Sequence, residues 1–139
     1  MLLMARDGLL LLCVANSARS QMAEGFARSI LGPDAPIWSA GSAPSRVNPF
    51  AIQAMAEVGI DLSGHTSDGI DDVPQDRIAR VITLCADEVC PVFPGGVQTL
   101  HLPFPDPGEG ETDAEILQSF RDVRDAIGVE LRRLLAKDA

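Results

Sequence analysis

Leu9-Leu10-Leu11-Leu12-Cys13-Val14-Ala15-Asn16-Ser17-Ala18-Arg19-Ser20 is the stretch on which the fold turns. Its continuous apolar run predicts a strand over 9–14 that is buried on both faces. Small and polar residues follow, and then Gln21-Met22-Ala23-Glu24-Gly25-Phe26-Ala27-Arg28, which is compatible with a helix. Strand, tight loop and helix in that order turn successive backbone N–H groups inward over a helix N-terminus, which makes a cradle for a tetrahedral anion. Val14, Ala15, Asn16, Ser17, Ala18 and Arg19 would form that loop. The same field favours the thiolate form of Cys13. Arg19 can offer a planar fork of donors to two anion oxygens, and the Ser20 hydroxyl is placed to donate to the sulfur. The chemistry implied is attack by a thiolate on a bound phosphate-like anion. A lone cysteine closing an apolar strand is more often a small buried hydrophobe. The agreement of strand, loop and helix start argues for the nucleophile instead.

Composition bounds the rest. With 139 residues, 46% apolar and 22% charged, the chain reads as a single globular domain over 1–139. Residues 1–8 read as an N-terminal extension, disordered or the product of a misplaced start. A net charge of −9 excludes the basic stripe that nucleic-acid binding needs. An anion site must therefore be built locally. Three cysteines do not make a disulfide scaffold and suit reactive chemistry in a reducing compartment, so the expected location is the cytoplasm. Arg6-Asp7-Gly8 splits the N-terminal leucines, and neither piece approaches the ~20 residues of a membrane span; no membrane partner is expected.

Strands alternate with helices along the chain. A helix from about Ser20 to Leu31 carries Ala23, Phe26, Ala27 and Ile30 on one stripe and stops at Gly32-Pro33. Residues 37–40 form a second strand, and Asn48-Pro49 starts a second helix that closes at Gly59. Residues 60–78 are polar loop with at most a short helix. Residues 81–84 and 97–102 are the third and fourth strands. Thr112-Asp113-Ala114-Glu115 is a capping box for a last helix with an apolar stripe through Ile116, Phe120, Val123, Ile127, Leu131 and Leu134. The class expected is α/β, a three-layer αβα sandwich around a four-stranded parallel sheet. In such sheets the site lies beyond the carboxyl ends of the strands. Cys13, Cys85 and Asp106 each follow such an end, so they could meet at one edge.

Asp106, between Pro105 and Pro107, has a backbone fixed by both prolines and could protonate an oxygen leaving the central atom. A plain turn aspartate is the alternative. Cys85 and Cys90 are five apart. If Ala86-Asp87-Glu88-Val89 form a helical turn, the two lie on different faces and cannot bond without unwinding. They could equally be two buried structural cysteines. Half a zinc site is poorly supported, because Cys13, His65 and His101 show no ligand spacing. The histidines read as ordinary surface or core residues.

These residues together resemble the thioredoxin-coupled arsenate reductases, a family built on the low-molecular-weight protein tyrosine phosphatase fold. The resemblance runs through CVANSARSQMAEG (13–25), WSAGS (38–42), VNP (47–49), GIDLSGHTS (59–67), VITLC (81–85), CPVFPG (90–95) and HLPFPDP (101–107). It implies an enzyme that reduces arsenate to arsenite. Cys13 would attack arsenate held by Arg19 and the loop amides, with Asp106 protonating the departing oxygen. Cys85 would attack the Cys13–arsenic adduct and release arsenite, leaving a Cys13–Cys85 disulfide. Cys90 would resolve that bond to Cys85–Cys90, which a thioredoxin-like partner reduces. The family pattern also implies no organic cofactor but a potassium site at Asn16, Glu24, Ser39 and Asp68, whose oxygens suit a hard cation. One departure stands out. Members usually have six residues between the redox cysteines, and this chain has four. The shorter segment has less slack, which leaves a glutathione–glutaredoxin couple open as the reductant. Two rivals remain: a phosphomonoesterase using Cys13, Arg19 and Asp106, and a non-catalytic oxyanion-binding or redox-sensing module. Phosphatase relatives usually place a tyrosine after the loop Asp-Pro; this chain has no tyrosine, and Gly108 follows Pro107.

Overall fold

The computed structural model describes residues 7–86 and 90–136. In chain order the elements are β1 (Gly8–Cys13), α1 (Arg19–Leu31), β2 (Ile37–Gly41), α2 (Pro49–Ala56), β3 (Ile78–Thr83), β4 (Gln98–His101) and α3 (Asp113–Leu135). Two 3-10 turns, Ile70–Asp72 and Gln75–Arg77, precede β3. The four strands form one sheet in the order β2-β1-β3-β4, with every pairing parallel. From central β1 the chain steps to β2 on one side and then returns to β3 and β4 on the other. That reversal puts a crevice beyond the carboxyl end of β1.

All six residues of β1 are buried. Successive strand side chains point to opposite faces, so the leucine run supplies two cores. Leu9 and Leu11 pack with Met22, Phe26, Met55, Phe120 and Ile127 beneath α1, α2 and α3. Leu10 and Leu12 pack with Val73, Ile78, Val81 and Phe93, flanked by Trp38 and Ile70. The sheet is therefore the middle of three layers. Among the described residues the outer layer on the second face is thin, made of the 3-10 turns and the chain around Phe93 rather than a long helix.

Local chemistry sets the helix ends. The Asn48 side chain accepts from Phe50 N, and Pro49 occupies the first turn of α2. Thr112 and Glu115 form the expected capping box on α3. α2 is shorter than the sequence suggests, ending at Ala56. β3 begins three residues earlier than expected, at Ile78, directly after the second 3-10 turn. β1 includes Gly8, and the Asp7 carboxylate pairs with Arg77 at 3.1 Å. The expected N-terminal extension otherwise lies outside the described residues. Among those residues no helix is long and apolar enough to cross a membrane.

Candidate active site

The carbonyls between β1 and α1 are each claimed from outside the loop. Val14 O accepts from Ala43 N at 2.9 Å, and Ser17 O accepts from Asn48 N at 2.9 Å. Ala15 O accepts from Ser45 N and from Ser67 Oγ, and Asn16 O accepts from Gln21 Nε2. Peptide planes whose carbonyls turn outward present their N–H groups inward. Gly41 makes this possible at the end of β2, where a Cβ would fall inside the Val14 carbonyl. Asn16 turns the loop with φ 47, a left-handed value that asparagine tolerates better than most residues. The first turn of α1 has no side-chain cap and no acidic residue. Its N–H groups and dipole are therefore available to an anion.

The cleft over the loop, about 370 Å3, is lined by Cys13, Val14, Ala15, Ser17, Ala18, Arg19, Asp106 and Pro107, with Ser45, Asn48 and Phe120 at its walls. Cys13 Sγ is a free thiol 2.9 Å from Ser20 Oγ. Arg19 is buried, donates to Phe104 O at 3.0 Å, and lies 3.8 Å from the Asp106 carboxylate. The Asp106 side chain is 73% exposed, so solvent can exchange protons with it at the mouth of the cavity. The structure therefore brings together Cys13, Arg19, Ser20, Asp106 and the loop.

Cys85 is nearby but does not line the cavity. Thr83 is level with Leu12 across the β1–β3 ladder, and Leu84 N donates to Leu12 O at 2.9 Å. Cys85 therefore leaves β3 one residue beyond the level of Cys13, on a strand about 4.8 Å away. It is fully buried and joined in a disulfide to half-buried Cys90, with Cα atoms 5.6 Å apart. The residues alone barred that bond only if a helical turn lay between the two cysteines, and the family resemblance implied it; the structure contains it. Cys85, Ala86 and Cys90 are not helical, and the Cα atoms of the two cysteines lie within disulfide reach. Asp87, Glu88 and Val89 lie outside the described residues.

The four residues named for potassium lie along one network. Glu24, Ser39 and Asp68 line a second cavity with Arg28, His65 and Thr66, and Asn16 is buried behind it. Their oxygens are already engaged. Asn16 Oδ1 accepts from Gln21 Nε2 and Asp68 N; Glu24 accepts from Ser39 Oγ and, at 2.8 Å, from Arg28 Nε. Asp68 accepts from Thr66 Oγ1. With the Arg28 guanidinium against Glu24, the set does not fit a resident cation. Among the described residues no cluster of three or more His, Cys, Asp or Glu could hold a metal, so the zinc alternative finds no support there.

One residue escaped the sequence reading. Gln21 is fully buried and touches Asn16, Thr66 and His65. Polar helix positions are ordinarily solvent-facing, but residues 19–27 of α1 are all buried. A helix hemmed in on every side is the signal that was missed.

Cradle, thiol and arginine on a parallel four-stranded sheet define a class, and comparison agrees. Residues 8–138 match the family model of the low molecular weight phosphotyrosine protein phosphatases, and the chain belongs to that family. Within it, the likeness is to arsenate reductases. The arsenate reductase of Halalkalibacterium halodurans is 45% identical over 124 residues, covering 87% of this chain and 89% of its own. The structure of an arsenate reductase in the phosphate binding state superposes with a TM-score of 0.79 at 37% identity, covering 96% of this chain and 99% of its own. A thioredoxin-dependent arsenate reductase from Corynebacterium glutamicum superposes with a TM-score of 0.67 at 25% identity, covering 99% of this chain and 66% of its own.

Proposed function

We propose that the chain reduces arsenate to arsenite through a relay of its three cysteines, in the cytoplasm, with electrons from an external thiol. The observation that carries this reading is the Cys85–Cys90 disulfide at the strand end beside the Cys13 cradle. Hydrolysis needs the cradle, Cys13 and the acid Asp106 but no second sulfur; a redox cycle needs two further sulfurs within reach.

Arsenate sits in the cradle against Arg19 and the loop amides, as the similar structure's phosphate-binding state suggests. The Cys13 thiolate, held by the Ser20 hydroxyl, attacks arsenic. An S–As bond forms and one oxygen leaves as water, protonated by Asp106. The Cys85 thiolate then attacks Cys13 Sγ; the S–S bond forms, the S–As bond breaks, and its electron pair stays on arsenic, which leaves as arsenite. The Cys90 thiolate attacks Cys85 Sγ, freeing Cys13 as thiolate and leaving Cys85–Cys90. A dithiol partner of the thioredoxin type restores both thiols. The exposed side of that bond is the half-buried Cys90. The shorter spacing keeps a glutathione–glutaredoxin couple as the competing reductant.

Arsenate-dependent NADPH oxidation, coupled in parallel to thioredoxin plus its reductase and to glutathione plus glutaredoxin, tests the reading. Cys85→Ser should abolish steady-state arsenate turnover while slow p-nitrophenyl phosphate hydrolysis persists. Persistence of that hydrolysis is the second reading, favoured by the family and by a cradle that takes phosphate geometry. Arsenate reduction unchanged in Cys85→Ser would sink the relay. A purely binding or sensing role predicts neither activity.

A further inference from the structure

We propose that the chain also reduces hydroperoxides, with Cys13 as the sulfur that attacks the peroxide and the Cys85–Cys90 pair as the means of turnover. The inference rests on the cysteine relay proposed above, and it uses only those steps of the relay that do not depend on arsenic.

In the second step of that relay Cys85 attacks Cys13 Sγ, and whatever the sulfur carries leaves with the bonding electrons. With arsenate the leaving group is arsenite. A hydroperoxide puts a hydroxyl in the same place. The Cys13 thiolate attacks one peroxide oxygen; an S–O bond forms, the O–O bond breaks, and the other oxygen takes a proton and leaves as water or an alcohol. Cys13 is then a sulfenic acid, oxidised by two electrons. Attack by the Cys85 thiolate forms Cys13–Cys85, breaks the S–O bond and releases hydroxide, which a proton converts to water. Cys90 moves the bond to Cys85–Cys90 and frees Cys13, and a dithiol donor reduces the pair. Each hydroperoxide consumes one dithiol, as each arsenate does.

The site directs the first step to Cys13. Its sulfur lines the cleft over the anion loop, and Ser20 Oγ at 2.9 Å can donate to the thiolate. Arg19 and the inward N–H groups face an oxygen that gains charge as the O–O bond breaks. The Asp106 carboxyl, 3.8 Å from Arg19 and open to solvent, can protonate it. An arsenate dianion approaches a molecule of net charge −9, whereas a hydroperoxide is neutral and meets no such repulsion. Cys85 is fully buried and lines no part of the cleft, so the peroxide meets Cys13 first. Residues 14–20 hold no cysteine that could trap a sulfenic acid within the loop. Its partner is therefore Cys85, on the strand beside β1, where Leu84 N donates to Leu12 O at 2.9 Å.

In the test, the reduced full chain, freed of reductant, is mixed with one equivalent of hydrogen peroxide, quenched, and its sulfurs mapped by mass spectrometry. Cys85–Cys90 should form while Cys13 stays reduced. Cys13→Ser should slow that bond about 100-fold or more. Inorganic phosphate at about ten times its dissociation constant covers the sulfur and should slow it roughly tenfold. Cys90→Ser should stop at Cys13–Cys85, and Cys85→Ser should hold a Cys13 sulfenic acid that dimedone traps. With thioredoxin plus its reductase, or glutathione plus glutaredoxin, the parent chain should consume one NADPH per peroxide. An undiminished rate of Cys85–Cys90 formation in Cys13→Ser would mean that peroxide oxidises the pair directly, which overturns the proposal. Accumulation of Cys13 sulfinic acid beside a reduced Cys85 overturns it too. The same preparation is assayed with arsenate. Arsenate turnover without peroxide turnover removes this inference and leaves the reductase reading; peroxide turnover without arsenate turnover does the reverse.

Discussion

The anion loop and the Cys85–Cys90 segment do opposite jobs with opposite construction. The loop is held on all sides: its carbonyls accept from Ala43, Ser45 and Asn48 between β2 and α2, from Gln21 of α1 and from Ser67, and Cys13 and Asn16 are buried. The redox segment follows Leu84, whose N–H donates to Leu12 O and whose carbonyl accepts from Phe104 N, and beyond Cys90 it returns to the core at Phe93. Val92, two residues past Cys90, is 87% exposed. Binding a tetrahedral anion rewards rigid donors that need no reorganisation. Passing a disulfide from Cys13 to Cys90 requires one sulfur to leave its pocket and return. The comparison predicts that lesions in the loop abolish all chemistry at Cys13. Lesions in the segment should abolish only turnover.

The largest effect separates those two outcomes. Cys13→Ser should lower both arsenate reduction and p-nitrophenyl phosphate hydrolysis by about 10^4-fold or more, since serine lacks a thiolate to attack. Cys90→Ser should instead permit one turnover. Arsenite released in a rapid-quench experiment should reach one equivalent per chain and stop at a Cys13–Cys85 disulfide seen by mass spectrometry. Continued turnover of Cys90→Ser with glutathione and glutaredoxin, but not with thioredoxin, would identify the monothiol route. Continued turnover with both would remove Cys90 from the relay.

Rigidity of the loop is tested next at Gly41. A Cβ there displaces the Val14 carbonyl and strains the first peptide of the cradle. Gly41→Ala should weaken phosphate binding by roughly tenfold or more, read by isothermal titration. An unchanged affinity would mean that the loop is softer than its hydrogen bonds suggest.

The loop was legible in the sequence because its chemistry is local. Leu9 to Ser20 carry strand, turn and helix start within twelve consecutive residues, and each signal agrees with the next. The capping box at Thr112 and the cap at Asn48 were legible for the same reason. What depends on distant partners was not. Gln21 looks like any helix residue until Thr66 and His65, some 45 residues on, close around it. For Cys85 and Cys90 the spacing alone left the bond open, since it turned on the local backbone; Cys85 and Cys90 are themselves not helical, and they are bonded. Arg28 follows Glu24 by one helical turn, so that pair was legible, but its place beside Ser39 and Asp68 in the potential cation site was not.

A smaller effect checks that the scaffold is separable from both regions. Glu57, at the end of α2, receives Arg121 and Arg124 of α3. Hydrogen bonding from Arg121, with further help from Arg124, lowers its pKa from 4.5 to about 2. A depressed carboxylate pKa stabilises the fold fully above the unfolded value and progressively less as pH falls toward the folded one. Glu57→Gln should therefore lower the melting temperature by about 2–4 °C at pH 7, with the difference shrinking below pH 4.5. The two activities should be unaffected. A deficit that persists undiminished at pH 3 would assign the loss to packing rather than charge.

The smallest expected effect concerns the cation. If Arg28 supplies the positive charge beside Glu24, replacing potassium by sodium at constant ionic strength should change arsenate turnover by less than about twofold, because the guanidinium already neutralises the carboxylate. Arg28→Met removes that charge and leaves the Glu24, Ser39 and Asp68 oxygens around the vacated space. The variant should then gain thermal stability from potassium that the parent chain does not, read as a melting shift between the two salts. A parent chain that responds to potassium as strongly as Arg28→Met would show that the arginine yields to the ion. The loop, held through Asn16, would then be adjustable from its rear.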